Sequence, residues 1–528
     1  MRVSINNIMI PVIKNQNKEI EKEIIKKGIK KENIDKILWL KRSIDSRKKN
    51  DIKFVYNLEV YLKNEIDIKN MKNVNIIKDS VYLKREAINK EEKVLIVGTG
   101  PAGLFSALRL VEYGYKPIII ERGEDVDSRD KSVENFINTG ILNENSNIQF
   151  GEGGAGTYSD GKLNTRIRSE YIDKVFQTFV ECGAQEEIMW DYKPHIGTDI
   201  LKGVIKNLRE KIISMGGKFY FNNKLEEIII EDNKIVGAII NNNKNEIEKI
   251  EVDKIILGVG HSARDTYRML HKKGVKMESK PFAIGARIEH PREDIDKMQY
   301  GKFAGHKNLG AATYNFTYNN YEEERGVFSF CMCPGGVIVN AASQKGGSLV
   351  NGMSYSDRNG EFSNSALVVG IKENEFGEDL FSGMEFQEKL EKRSYEIVKE
   401  YGAIYQSVTD FLEGKVTEKE IRTSYLMKKT PYDLNKFFPD VITRNMKMAL
   451  KYWGKNNPLF ISERANLLAP ETRTSAPIRI LRDENGESVN IKGLYPIGEG
   501  AGYAGGIVSA GVDGLKIVDK SFSKVVED

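Results

Sequence analysis

The stretch from Val94 to Gly123, VLIVGTGPAGLFSALRLVEYGYKPIIIERG, constrains the fold more than any other part of the chain. It reads as an apolar strand, a glycine turn, an apolar helix and a second apolar strand that ends in Glu121. Gly98, Gly100 and Gly103 spell GxGxxG. Gly98 permits a tight turn, Gly100 lets a pyrophosphate approach the backbone, and Gly103 lets helix and strand pack closely. Pro101 and Ala102 open the helix, whose free N–H groups and positive end suit phosphate. Glu121, with Arg122 beside it, lies 18 residues beyond Gly103, about where an acidic side chain grips a ribose hydroxyl pair. A purely structural turn in some other α/β unit would not need strand, helix and acid together.

A second glycine-rich stretch, GEGGAGTYSDGKL at 151–163, matches two phosphate motifs at once. As a P-loop it lacks the Ser or Thr that would meet Mg²⁺, because Leu163 stands there, and no strong strand precedes it. As a second dinucleotide turn it lacks both strand and helix. It reads instead as an accessory cradle for the ligand of the first loop, with Gly153, Gly154, Thr157, Ser159 and Asp160 as contacts. Two further segments also run from an apolar strand into a glycine-bearing turn. One is DKIILGVGHSARDT, a strand ending at Gly260. The other is GLYPIGEGAGYAGGI, a strand running into a small, acid-bearing loop before a helix.

These segments together resemble the glutathione-reductase-type FAD superfamily. With KPHIGTD, KPFAIGARIEHP, FCMCPGG and PETRTSAPIRI they resemble, more narrowly, a family of FAD-dependent (NAD(FAD)-utilising) dehydrogenases that carries an added N-terminal domain. The resemblance covers nearly the whole chain. It implies bound FAD and redox chemistry through flavin N5, with an unnamed small-molecule substrate. It puts the ribityl-binding acid at Gly498-Glu499, where the superfamily usually has Gly-Asp, and the helix start at Gly505, Gly506 and Ile507 against the flavin N1/O2 edge. A flavin monooxygenase or oxidase, and a flavoprotein with a binding or regulatory role, are the alternatives. No second strand–GxGxxG–helix unit is present, so NAD(P)H, if it is the reductant, binds transiently.

The expected fold is α/β with α+β parts. A ferredoxin-like α+β module spans 1–90, a Rossmann-like FAD/NAD(P)-binding domain spans 91–280 and 461–528, and an inserted, mixed β-rich substrate domain spans 281–460. Within the insertion, Phe386, Leu390, Ile397 and Tyr401 share a helical face. Residues 1–93 hold 23 Lys and Arg against 14 Asp and Glu, with a dense run at LKRSIDSRKKND. That run is either a solvated face or a docking surface for RNA or an acidic partner.

The three cysteines, Cys182, Cys331 and Cys333, are too few and too odd for a disulfide framework and point to a reducing, cytoplasmic setting. No stretch approaches a membrane span and no signal peptide is recognised. Cys331 and Cys333 form a CxC pair on a strand, where residues two apart share a face. The pair is either a strained thiol-redox couple or two strand residues facing flavin or core, and it is the only catalytic candidate. A zinc site would need a second ligand pair, so no metal is expected. His195 and His261 fall in the family segments and either line the cofactor site or serve structure. Arg473, Thr474 and Ser475 either meet flavin or an anionic substrate, or form a hydrogen-bonded turn.

Overall fold

The computed structural model describes residues 1–77, 84–244 and 246–526. At its centre is a parallel sheet of five strands in the order Leu494–Pro496, Lys254–Leu257, Val94–Val97, Ile118–Ile120, Lys218–Tyr220. Its strands, apart from the exposed edge strand Lys218–Tyr220, are mostly apolar on both faces because both faces are covered. Val94 and Ile96 point to a helical layer formed by Pro101–Glu112, Thr198–Ser214 and the C-terminal helix Ile507–Ser521. Leu95 and Val97 point the other way, onto an antiparallel meander of Asn223–Glu231, Lys234–Asn242 and Ile247–Glu251. The sheet therefore assembles from three stretches far apart in sequence, and the carboxyl ends of its strands open on one crevice.

A second sheet has seven strands, in the order Thr317–Asn320, Arg325–Cys333, Phe362–Ile371, Phe282–Pro291, Asn466–Glu471, Gly402–Ser407, Lys428–Pro431. Helices Ser382–Val398 and Asp440–Gly454 belong to the same body. Its central strand Phe282–Pro291 is buried almost end to end. The strand Asn466–Glu471 pairs with Phe282–Pro291 and with Gly402–Ser407. The second body thus runs beyond the expected boundary at 460, because the last strand needed to complete its sheet comes after the Asp440–Gly454 helix. Of the expected helical face, Leu390 is buried and Phe386 and Ile397 are partly so, while Tyr401 lies past the helix end in the turn that follows Lys399.

The N-terminal module is a four-stranded antiparallel sheet in the order Ile34–Asp45, Lys53–Leu62, Arg2–Pro11, Val74–Ile76, with one helix, Gln16–Lys26. A ferredoxin-like module would carry a second helix between its third and fourth strands; here residues 63–73 are irregular. Part of the basic run serves docking. Arg42 pairs with Asp191 at 2.8 Å and lies 4.6 Å over the Trp190 ring, and Trp39 packs edge-on against the same ring. Lys41 sits 4.5 Å over Tyr192, and Arg47 pairs with Asp45. No helix among the described residues is long and apolar enough to cross a membrane.

Candidate functional site

The crevice at the strand ends is a cleft of about 320 Å³, bounded by both sheets. Three glycines of the first loop show how it is built. Gly98 has φ +96°, and a Cβ there would fall 2.4 Å from the Gly258 carbonyl oxygen. A Cβ on Gly103 would fall 2.0 Å from the Gly98 carbonyl oxygen, so helix and strand touch backbone to backbone. Gly100 differs. Its φ of −66° suits any residue, and a Cβ there would meet no protein atom within 4 Å. Nothing in the chain itself requires glycine at that position, and the space it leaves opens on the cleft.

Two helix N-termini converge there. The helix Pro101–Glu112 starts at Gly100 and the helix Ile507–Ser521 at Gly506, and neither has a side-chain cap. Their first N–H groups remain available to an anion or to carbonyl oxygens. Gly505 and Gly506, like Gly100, have open space where a Cβ would go. Gly98, Gly100, Pro101, Ala102, Gly505, Gly506 and Ile507 all line the cleft, as do Gly260 and Glu499. His261 lies beside them with Nδ1 3.2 Å from Glu499 Oε1, and neither of its buried ring nitrogens has a hydrogen-bond partner among the described residues. Gly103 and Gly498 lie behind the lining and serve packing: Gly498 would place a Cβ 2.7 Å from that of Ala102.

Glu121 lines the cleft, but its carboxylate is already engaged. One oxygen accepts from Thr99 N and Thr99 Oγ1, both at 2.9 Å, and the other from Gly123 N at 3.0 Å and Gly151 N at 3.1 Å. A carboxylate has about four acceptor sites. Glu121 therefore clamps the first loop to the second, and a ribose hydroxyl must compete with those donors. Arg122 points to a side pocket, where it lies 4.3 Å over the Phe150 ring and donates to Asp265 at 2.9 Å.

The 151–163 stretch folds as an irregular loop with a short turn at Gly154–Tyr158. Gly153 N donates to Thr99 O at 3.0 Å, and a Cβ on Gly154 would lie 3.2 Å from Gly100 Cα. The loop therefore packs directly on the first one. Gly154, Ser159 and Asp160 reach the cleft. Gly153 and Thr157 do not, and this corrects the expectation for both. Thr157 is buried and donates to the Glu152 carbonyl at 3.0 Å, which turns its hydroxyl away from the cleft. Asp160 is not a free carboxylate either: Arg358 Nε and Nη2 donate to it at 3.0 and 2.5 Å. Burial opposes its charge, but Lys162 and Arg358 outweigh burial and hold its pKa below the ordinary value.

Several residues that organise the site carry no sequence signal. Arg129 is fully buried and donates to the carbonyls of Asn147, Ile148 and Glu152 at 2.6–3.0 Å, fixing the approach to the second loop. Glu391 sits buried between Arg264 and Arg473, accepting from each at 2.8–3.0 Å, and so ties the two sheets together across the cleft. Burial alone would raise its pKa; the two guanidinium groups hold it far below the usual carboxylate range. Arg473 is thus consumed by Glu391, and Thr474 donates to Ala283 O at 2.7 Å, so these side chains behave as a hydrogen-bonded turn at the cleft wall.

The CxC pair also departs from simple strand alternation. Pairing of Arg325–Cys333 with Phe362–Ile371 shifts register between Phe330 and Cys333, and Cys331 has φ +45°. This bulge turns Cys331 toward the cleft while Cys333 stays buried. All three cysteines are free thiols. Arg287 lies beneath the pair: its guanidinium donates to Glu471 at 2.9 Å and to Cys331 O at 2.6 Å. His195 does not line the cleft; Nε2 meets Ser356 O at 3.1 Å, and burial and Arg358 lower its pKa. Among the described residues no group of three or more His, Cys, Asp or Glu side chains could hold a metal ion.

An apolar groove walled by Phe282, Phe328 and Ile371 joins the cleft at Phe330, Thr474 and Gly505. A wider groove elsewhere is lined by Arg292, Glu293, Arg422 and Arg464, whose charges are largely paired, and it has no glycine cradle.

The fit to a flavin dinucleotide is good on these grounds: open space at Gly100, Gly505 and Gly506, two uncapped helix starts, and an orphaned His261 nitrogen in the same cleft. Comparison with known proteins agrees. Residues 91–135 match a family described as an FAD binding domain, and residues 281–474 match one described as "FAD-dependent protein, C-terminal domain-like". Residues 2–61 match a domain of unknown function. Among solved structures, the FAD-complexed glycerol-3-phosphate dehydrogenase of Bacillus halodurans aligns at 10% identity over 81% of this chain and 64% of that one, just under two thirds of its length, with a TM-score of 0.35. A geranylgeranyl bacteriochlorophyll reductase-like protein of Thermoplasma acidophilum aligns at 13% identity over 81% and 78%, with a TM-score of 0.34. A protein of Clostridium beijerinckii described only as uncharacterized is 44% identical over 534 residues, 99% of either chain. The chain belongs to the same family as that clostridial protein, a family of FAD-dependent proteins.

Proposed function

We propose that the protein is an FAD-dependent oxidoreductase of the dehydrogenase type, acting on a small molecule that enters along the Phe328–Phe330 groove. The observation that carries the cofactor part is Gly100: a glycine with ordinary φ, at an uncapped helix start, whose missing side chain leaves open space on the cleft. Bound FAD supplies two-electron chemistry at its isoalloxazine ring. The chain's own residues then have separable tasks. The N–H groups of Ala102 and Gly103 would meet the pyrophosphate, and those at the Ile507 helix start would meet ring carbonyl oxygens. Glu121 holds the two glycine loops in register through four hydrogen bonds. Glu499 and His261 face each other at 3.2 Å in the cleft wall and would offer polar groups to the bound ligand. The side chains of Phe328 and Phe330 give the substrate side an apolar lining. The site suits a substrate with an apolar body. NAD(P)H as a transient reductant and a cytoplasmic setting are part of this proposal.

The test is anaerobic reduction of the FAD-loaded protein, with NADH, NADPH or dithionite, followed by exposure to air. A dehydrogenase reoxidises slowly and leaves reducing equivalents for an organic acceptor. Rapid reoxidation by oxygen would overturn the dehydrogenase reading in favour of an oxidase or monooxygenase.

A further inference from the structure

Cys331 combines four features that packing does not demand. It faces the cleft while Cys182 and Cys333 are buried. Its φ of +45° is costly for a residue with a Cβ, and the strand breaks its ladder to accommodate it. The thiol of Cys333 donates to the Cys331 carbonyl oxygen at 3.4 Å, which keeps the two residues together across the bulge. Finally, cations flank it: Lys162, the lysine of the GK pair in the glycine-rich loop, and Arg287, which donates to its carbonyl and lies 3.6 Å from Cys333 Sγ.

From this we infer that Cys331 and Cys333 form a thiol–disulfide exchange pair for an organic sulfur substrate, with Cys331 the outer, attacking sulfur and Cys333 the inner, resolving one. The exchange balances without help from any cofactor. Cys331 thiolate attacks one sulfur of an organic disulfide, the S–S bond breaks, and the departing thiolate takes a proton from water. Cys333 then loses its proton to water and attacks Cys331 Sγ, and the second organic thiolate leaves. Two electrons pass from the protein dithiol to the substrate, which ends as two thiols. In reverse, the same pair oxidises thiols. Stabilisation of the Cys331 thiolate and the short spacing of the pair both favour that direction.

The charges around the pair support the assignment. The neighbouring Cys333 thiol, with Lys162 and Arg287, lowers the Cys331 pKa against the effects of burial and Asp160. The neighbouring Cys331 sulfur, together with burial, raises that of Cys333. Glu471, on the other side of Arg287, has its carboxyl pushed up to about 7 by burial, partly countered by Arg287, so it adds only part of a negative charge at neutral pH. Burial raises the Cys182 thiol, which serves as an internal reference.

The test uses the full-length protein equilibrated with FAD, its flavin content read from the absorption spectrum of the same sample. Treatment with the aromatic disulfide 5,5′-dithiobis(2-nitrobenzoate), followed by mass spectrometry, should give a Cys331–Cys333 disulfide and a chain about 2 Da lighter. Cys333→Ser should stop at a mixed disulfide on Cys331, and Cys331→Ser should leave Cys333 unmodified. In pulsed alkylation with iodoacetamide at pH 7, Cys331 should react at least about tenfold faster than Cys182. Lys162→Met should move the Cys331 rate profile to higher pH, slowing the reaction about threefold or more at pH 7. Cys331 reacting no faster than Cys182, or a wild-type mixed disulfide that never closes, would overturn the proposal. Because flavin content is read independently, inert thiols in an FAD-loaded sample would leave the cofactor reading standing.

Discussion

Replacing Gly100 and Gly103 separately by alanine should divide ligand binding from folding. At Gly103 the new Cβ would sit 2.0 Å from a backbone oxygen, about 1 Å inside any contact that real side chains make. Neither partner is a flexible side chain, so the helix must shift away from the strand, at a cost of about 3 kcal/mol. At Gly100 the new Cβ meets nothing, and φ of −66° already suits alanine. The lower conformational entropy of the unfolded chain offsets a slightly poorer helix cap, so stability should stay within about 1 kcal/mol of wild type. The methyl group does occupy the space that a pyrophosphate needs, and loss of at least about 1.4 kcal/mol of binding, or tenfold in Kd, is expected. Urea denaturation of the apoproteins and fluorescence titration with FAD measure the two effects independently. A Gly100→Ala protein that binds FAD like wild type, or a Gly103→Ala apoprotein as stable as wild type, would refute the reasoning.

Three other perturbations follow from the buried charges. Glu391→Gln leaves Arg264 and Arg473 uncompensated in the interior and should cost about 3–5 kcal/mol, read by chemical denaturation at pH 7. Its folded pKa lies below the unfolded one, so the stabilisation is complete above about pH 5 and is lost as pH falls; the variant should lack that acid-side loss. Glu289 behaves oppositely: burial pushes its carboxyl up to about 7 despite hydrogen bonds from Ser424 and Thr423. The stability of wild type relative to Glu289→Gln should therefore fall by about 1.4 kcal/mol per unit as pH rises from roughly 4.5 to 7, then level off. Arg129→Met strands the buried carbonyls of Asn147 and Ile148, while that of Glu152 keeps the Thr157 hydroxyl, and should lower stability by about 3 kcal/mol and weaken FAD binding through the 147–152 loop, measured by the same denaturation and titration.

The parts of this structure that are legible in the sequence are those fixed by local chemistry. The turn at Gly98–Gly103, the strand before it and the helix after it follow from glycine spacing and apolar period. So do the helix ending before Gly28 and the strands Arg2–Pro11 and Lys53–Leu62. That the glycine-rich loop is neither a P-loop nor a second dinucleotide turn is readable because both rival motifs lack their flanking elements there. The rest depends on which distant groups meet. Nothing local distinguishes Arg129, Arg287, Arg264 or Arg358 from surface arginines, yet each is buried or nearly so and orders part of the cleft. The spacing of Glu121 points to ribose, but the donors that fill its carboxylate come from three separate loop positions. Alternation along Arg325–Cys333 predicts two cysteines on one face; a bulge, invisible in the residue types, separates their environments. Thr157 faces away because a buried carbonyl five residues earlier claims its hydroxyl.

The central claim is that the cleft between the two sheets holds one FAD. The most direct measurement is the visible absorption spectrum of the full-length protein after incubation with excess FAD and gel filtration. The account predicts the two-banded spectrum of a bound oxidised flavin at one equivalent per chain, and its loss in Gly100→Ala. A wild-type protein that is folded and colourless after that treatment would contradict it.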